Sequence, residues 1–214
     1  MKRLIIFDLD GTLLNTIDDL GAACNEALGA FGYPKHEAEE YPKLVGNGVN
    51  KLIERALPDG EKSEENILRL RKVFIPYYDA HNSVHTKPYE GMETVVRTAR
   101  ERGYRLAVAS NKYDEAAKAL TRHYFREAFD VVFGEREGVP RKPEPQIVFD
   151  IMQALDIQRD EALYVGDSGV DMQTAANAGV DAVGCSWGFC ERKVLEEAHP
   201  KYLIDSPLEL LEIL

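Results

Sequence analysis

Short apolar runs alternate with helical patterns over most of this chain. Leu4 to Leu9 is apolar and rich in isoleucine and phenylalanine, which reads as a buried strand. Comparable runs recur at Tyr104–Ser110, Phe129–Phe133, Ala162–Gly166 and Val180–Cys185. Between most of them apolar positions repeat at helical spacing. Met92, Val95, Val96 and Ala99 do so within Glu90–Arg102, and Ile147, Val148, Ile151 and Leu155 within Glu144–Leu155. A further helix, Ser168–Ala178, opens on a capping serine and stops before Gly179. Strand and helix in alternation predict an α/β unit with a mostly parallel sheet. Right-handed crossovers would place helices on both of its faces.

From about Thr16 to Thr86 this rhythm stops. Helices are predicted over Asp18–Phe31, with Leu20, Ala23, Ala27 and Leu28 inward, and over Gly48–Leu57, with Val49, Leu52, Ile53 and Leu57. A third covers Glu64–Ala80 and carries Ile67, Leu70, Val73, Phe74 and Tyr77; Pro76 marks a kink or an early end. No run there reads as a strand. About four helices inserted after the first strand make a small helical domain, residues 16–86, and the α/β core takes 1–15 and 87–214. Two short linkers would let such an insertion move as a lid.

Composition narrows the function. The chain has 214 residues, enough for one sizeable core plus a small insertion, and its 44% hydrophobic and 29% charged content excludes a disordered or fibrous protein. A net charge of -11 disfavours nucleic acid and anionic membranes as partners. The same field repels a phosphate ester, so a site for one must supply local positive charge. Cys24, Cys185 and Cys190 have no zinc-ligand spacing, and their odd number argues against a disulfide framework. Reduced thiols in the cytoplasm are the expectation. The apolar run after Met1-Lys2-Arg3 is short and broken by Asp8 and Asp10, so it does not read as a signal peptide, and no stretch is long enough to cross a bilayer.

Polar residues of catalytic type fall at strand endings, where open α/β sheets bind ligands. Asp8 and Asp10 end the first apolar run, and Gly11 and Thr12 follow at once. Side chains two apart on a strand point the same way, so the two carboxylates could converge unless the chain already turns at Asp10. Repelling carboxylates call for a cation, and Mg²⁺ is hard, oxygen-seeking and compatible with phosphate. One carboxylate can then attack phosphorus while the other manages the proton. In isolation the pair could equally be a turn or a helix cap. Ser110 and Asn111 follow LAVAS and offer a hydroxyl and backbone N–H groups to an anion, or a cap for a helix beginning near Lys112–Asp114. Lys142 sits in the proline-stiffened VPRKPEPQ segment and could hold an ammonium against a phosphoryl oxygen, with Arg141 its local competitor. Asp167 and Asp171 lie in VGDSGVD. Asp167 can ligate a metal directly, and Asp171, one helical turn on, can orient a metal-bound water or Lys142, or simply favour the helix dipole.

Taken together these motifs resemble the haloacid dehalogenase superfamily, specifically its Mg²⁺-dependent phosphatases. Asp8, Asp10, Gly11 and Thr12 match the first motif, Ser110 the second, Lys142 before a proline the third, and Gly166, Asp167, Ser168 and Asp171 the fourth. The resemblance spans essentially the whole chain and implies a Rossmann-like core with a C1-type helical cap. It makes Asp8 the nucleophile and Asp10 the general acid/base. It has Gly11, Thr12, Ser110, the Asn111 amide and Lys142 hold the phosphoryl group. Asp8, the Asp10 carbonyl and Asp167 would bind Mg²⁺. An acid at position 10 speaks against carbon–halogen or carbon–phosphorus cleavage, and Gly166 before Asp167 favours a hydrolase over the sugar-phosphate mutase branch. The segments LVGNGVNKLIERAL, RKPEPQ and VGCSWGF look like the phosphoglycolate phosphatase branch.

The expected activity is hydrolysis of a small phosphorylated metabolite, 2-phosphoglycolate first. Pyrophosphate, nucleotide or sugar monophosphates come next and β-phosphoglucomutase last. Lys51, with Asn47 and Asn50, is the predicted polar contribution of the helical insertion. The chain would act as a monomer or a homodimer. A non-catalytic phosphate-binding scaffold would be expected to lack Asp8, Lys142 or Asp167, and none is missing.

Overall fold

A computed structural model describes residues 2–214. The chain divides into two compact units, one running up to Asn15 and resuming over Pro88–Leu214, the other covering Thr16–Lys87.

The first unit is built on six strands: β1 (Leu4–Phe7), β4 (Arg105–Tyr113), β5 (Val131–Glu135), β6 (Ala162–Gly166), β7 (Asp181–Cys185) and β8 (Tyr202–Ile204). The two-residue strands β2 (Leu14–Asn15) and β3 (Lys87–Pro88) lie where the chain passes between the units. The sheet order is β5-β4-β1-β6-β7-β8, and every neighbouring pair is parallel. A parallel sheet needs covering on both sides, and strand alternation supplies it. Ile5 and Phe7 pack on one face with Leu106, Val108, Leu163 and Val165, against helix α5 (Met92–Glu101), whose Met92, Val95, Val96 and Ala99 are buried there. Leu4 and Ile6 pack on the other face with Ala107, Ala109 and Ala162, against α7 (Gln146–Leu155) and α8 (Gly169–Ala178). All four β1 side chains are fully buried, so truncating any of them to alanine costs about 2–5 kcal/mol.

Several boundaries differ from the sequence reading. β1 stops at Phe7, not Leu9, because the chain begins to turn at Leu9, whose carbonyl accepts from both Leu13 and Leu14 N–H. β4 runs on through Ser110, Asn111 and Lys112 to Tyr113, so α6 (Asp114–Phe125) starts at the late end of the expected range and Ser110 does not cap it. The short edge strand β8 carried no apolar run long enough to read.

The second unit is helical: α1 (Ile17–Ala30), α2 (Tyr41–Leu44), α3 (Val49–Ala56) and α4 (Glu64–His81). Its core joins Leu20, Ala23, Ala27 and Leu28 of α1, Leu52 and Ile53 of α3, and Leu70, Phe74 and Tyr78 of α4. Pro76 sits on the exposed side of α4 and forgoes one backbone bond without ending the helix. Buried Asp19 accepts from the His85 and Thr86 N–H groups and the Thr86 hydroxyl at 2.7–3.1 Å, which ties the end of this unit to its first helix.

Candidate active site

The carboxyl ends of β1, β4 and β6 come together in the first unit and bring four charged side chains into contact. Asp8 follows β1 directly, and its N–H still donates to the Val165 carbonyl at 2.9 Å. Lys142 enters from the loop before α7. Its Nζ lies 2.8 Å from Asp8 Oδ1, 2.8 Å from Asp171 Oδ1, 3.0 Å from the Ala109 carbonyl and 3.1 Å from the Tyr164 hydroxyl. Asn111 fixes that loop from both sides: its Oδ1 accepts from Lys142 N–H at 3.0 Å and its Nδ2 donates to the Lys142 carbonyl at 3.2 Å. Arg141, the neighbouring cation, pairs instead with Glu135.

Asp171 is held by a reciprocal cap at the start of α8. Its Oδ2 accepts from Ser168 N–H and from the Ser168 hydroxyl, while Ser168 Oγ accepts from Asp171 N–H. Its Oδ1 faces Lys142 and the Tyr164 hydroxyl. Both oxygens are thereby engaged within the protein, which suits a residue that orients others. Asp167 is bound more sparingly. Thr12 donates its hydroxyl to Oδ1 at 3.0 Å, and Phe189 N–H donates to Oδ2 at 2.8 Å. Two glycines make this close approach feasible. A Cβ on Gly11, whose φ is 91°, would stand 2.3 Å from Asp167 Oδ2, and one on Gly188 would stand 2.2 Å from Asp167 Cβ.

Oxygens of Asp8, Asp167 and Asp171 all lie within 4.8 Å of one another. Three buried carboxylates against one ammonium leave two negative charges without balance. Burial, then repulsion from Asp171, pushes Asp8 up to about 7, and the ion pair with Lys142 does not outweigh them. Burial, then Asp171 and Asp8, likewise lifts Asp167 well above the usual carboxylate range. Burial alone would push Lys142 down, yet Asp171 and Asp8 hold its ammonium well above the ordinary lysine value. An all-oxygen pocket with two surplus negative charges fits a hard divalent cation.

Asp10 does not join this cluster. The chain turns between Asp8 and Asp10, so their side chains do not converge as strand alternation would have them. Both Asp10 oxygens lie 3.0 Å from Lys112 Nζ instead. Ser110 is buried at the same strand end and accepts from Lys112 N–H at 3.1 Å. Lys51 belongs to the helical unit, where it is exposed and paired with Glu54; Asn47 and Asn50 there accept from Arg55 and Arg71. Lys112, Tyr164 and the Gly188–Phe189 backbone were missed from the sequence. The polar Tyr164 within the aliphatic ALYVG run was a usable signal.

A family model described as haloacid dehalogenase-like hydrolase matches residues 5–185. The chain belongs to the haloacid dehalogenase-like hydrolases. Within this family it is similar to a phosphoglycolate phosphatase of Vibrio parahaemolyticus, 31% identical over 99% of this chain and 95% of that protein. A crystal structure of a candidate phosphoglycolate phosphatase from Lactobacillus delbrueckii subsp. bulgaricus matches with a TM-score of 0.93 and 31% identity, covering 100% of this chain and 98% of that one. CbbY from Rhodobacter sphaeroides in complex with phosphate matches at 0.84 and 27%, covering 98% and 96%, and a variant of CbbY has been solved with xylulose-1,5-bisphosphate. This haloacid dehalogenase-like hydrolase is a phosphatase. No helix among its described residues is long and apolar enough to cross a membrane.

Proposed function

We propose that the protein hydrolyses 2-phosphoglycolate to glycolate and phosphate through a phospho-aspartate on Asp8. The observation that carries this reading is Lys142, whose ammonium stands between Asp8 and Asp171 in a buried cluster with surplus negative charge. Such a lysine keeps Asp8 in place and offers positive charge to an arriving phosphoryl group. In the first half-reaction an Asp8 oxygen bonds to phosphorus, the bond from phosphorus to the ester oxygen breaks, and Asp10 gives that oxygen a proton. In the second, water bonds to phosphorus, Asp10 takes its proton, and the Asp8–phosphorus bond breaks. Ser110 and the Asn111 N–H hold the phosphoryl oxygens, with Gly11 and Thr12 shaping the other wall.

Asp8, Asp167 and the Asp10 carbonyl would hold a divalent cation, Mg²⁺ in this reading, which supplies charge neutralisation at the phosphoryl oxygens. Asp171 holds Lys142 in place. The choice of 2-phosphoglycolate rests on the full-length similarity to phosphoglycolate phosphatases. A sugar phosphate is the second reading, favoured by the bisphosphate seen with the CbbY variant.

The test is phosphate release with Mg²⁺ across 2-phosphoglycolate, pyrophosphate, β-glucose 1-phosphate, xylulose 1,5-bisphosphate and nucleoside monophosphates. A kcat/KM for 2-phosphoglycolate about tenfold or more above the rest, roughly 1.4 kcal/mol of discrimination, is expected. A sugar phosphate in first place would overturn the substrate assignment and leave the chemistry standing.

A further inference from the structure

Two lysines divide the two aspartates of the first motif. Lys142 takes Asp8, and Lys112 takes Asp10. Lys112 is as buried as Lys142, each about 5% exposed. A lysine withdrawn so far from water needs a partner for its charge, and the Asp10 carboxylate meets it with both oxygens at 3.0 Å. A contact to both oxygens restrains the plane of the carboxylate as well as its distance. The same residue donates its backbone N–H to Ser110 Oγ at 3.1 Å, so one position on β4 braces two groups assigned to phosphate chemistry. No comparable partner is needed merely to fold a strand end, where an apolar side chain would serve.

We infer that Lys112 is a positioning residue for Asp10: it holds the carboxylate in the orientation from which Asp10 passes a proton to the leaving oxygen and later takes one from water. The inference rests on the acid/base role of Asp10 in the proposed function. Lys112 itself forms and breaks no bond. Its contribution therefore scales with how much the leaving group needs a proton. An alkyl alcohol leaves poorly as an alkoxide and depends on Asp10. A p-nitrophenolate leaves well without a proton.

The experiment compares release of the leaving group in a single turnover for two substrates. One is p-nitrophenyl phosphate, and the other is the alkyl monophosphate hydrolysed fastest in the substrate panel. Wild type, Lys112→Met, Asp10→Ala and the double variant are measured with Mg²⁺, and folding of each is checked by thermal melting. Lys112→Met is expected to slow the alkyl substrate about 100-fold, at the low end of general-acid contributions, and p-nitrophenyl phosphate less than about tenfold. The double variant is expected to be no slower than Asp10→Ala, because Lys112 acts through that residue. Equal losses on both substrates, no loss, or additive losses in the double variant overturn the inference. A flat leaving-group profile in Asp10→Ala would instead overturn the acid role of Asp10, and the Lys112 inference with it. If Lys112→Met does not fold, Lys112→Arg keeps the charge but displaces Asp10 with a larger head group. It is then expected to show a smaller loss on the alkyl substrate with p-nitrophenyl phosphate spared, and an equal loss on both or none counts against the inference.

Discussion

Lys142 and Asp171 meet at 2.8 Å with side chains only 2% and 0% exposed, so the pair is effectively dry. Removing one member of such a pair costs more than the pair contributes, because the survivor keeps its charge in a poor solvent. Lys142→Ala strands Asp8 and Asp171 together. We expect a loss of about 3–5 kcal/mol in urea unfolding and no measurable turnover. A divalent cation should recover part of the stability by balancing the same carboxylates. An unchanged unfolding midpoint would show that the cluster is not charged as described.

Asp8→Asn removes a negative charge from a cluster that has too many. The variant should melt at or above the wild-type temperature without metal while losing turnover by roughly 10⁴-fold or more, the scale of removing a covalent nucleophile. Beryllium fluoride should protect wild type against unfolding, as a mimic of phospho-Asp8, and leave Asp8→Asn unaffected. Residual turnover within tenfold of wild type would sink the covalent scheme.

What could be read from the sequence followed from local rules. The apolar content of Leu4–Phe7 marked β1 as a buried strand, and the strand-end positions of Asp8, Asp10, Ser110 and Asp167 pointed to a site at that end of the sheet. Pairings set by register and by distant loops were not legible. Lys112 looks like any solvated lysine until β4 continues past Asn111 and carries it inside. Phe189 contributes only its backbone, which no residue-type pattern reveals, and its reach to Asp167 depends on Gly188 having no side chain. For Asp10 the sequence left open whether it converges with Asp8 or follows a turn, and β1 ends at Phe7, three residues before it, so the turn prevails.

Gly188→Ala tests that loop. The added Cβ collides with Asp167, so the loop must shift and the Phe189 N–H bond is lost. Partners of this kind typically tune metal affinity 10–100-fold. We expect the Mg²⁺ concentration for half-activation to rise about tenfold with the fold intact. Trp187, the sole tryptophan, donates Nε1–H to the Thr12 carbonyl at 3.1 Å and gives a direct fluorescence readout of metal binding. Unchanged affinity by that readout would remove the loop from the metal site.

The helical unit has its own point of failure in buried Asp19. Asp19→Ala leaves two backbone N–H groups and the Thr86 hydroxyl without this acceptor. A loss of about 2–4 kcal/mol is expected, since buried unsatisfied donors cost about 1–3 kcal/mol each and water recovers some of it. Hydrogen exchange at His85 and Thr86 should accelerate first. Protection there equal to wild type would refute the tether.

The pH dependence of the metal-free protein follows from Asp8. Its carboxyl holds a proton up to about 7 in the folded protein, whereas the unfolded chain releases it near 3.8. Between those values the folded state binds more protons, so stability falls as pH rises. The contribution is fully present below 3.8 and lost once pH passes 7, amounting to about 4 kcal/mol at most. Asp167, raised by the same burial, acts in the same direction. A divalent cation competes with these protons, so its stabilising effect should be small at pH 5 and large at pH 8. Metal-free wild type should therefore lose more stability between pH 5 and 8 than Asp8→Asn, which has no such proton to lose, and Mg²⁺ should narrow the difference. Parallel pH profiles for the two proteins would show that Asp8 ionises in the fold as it does in water.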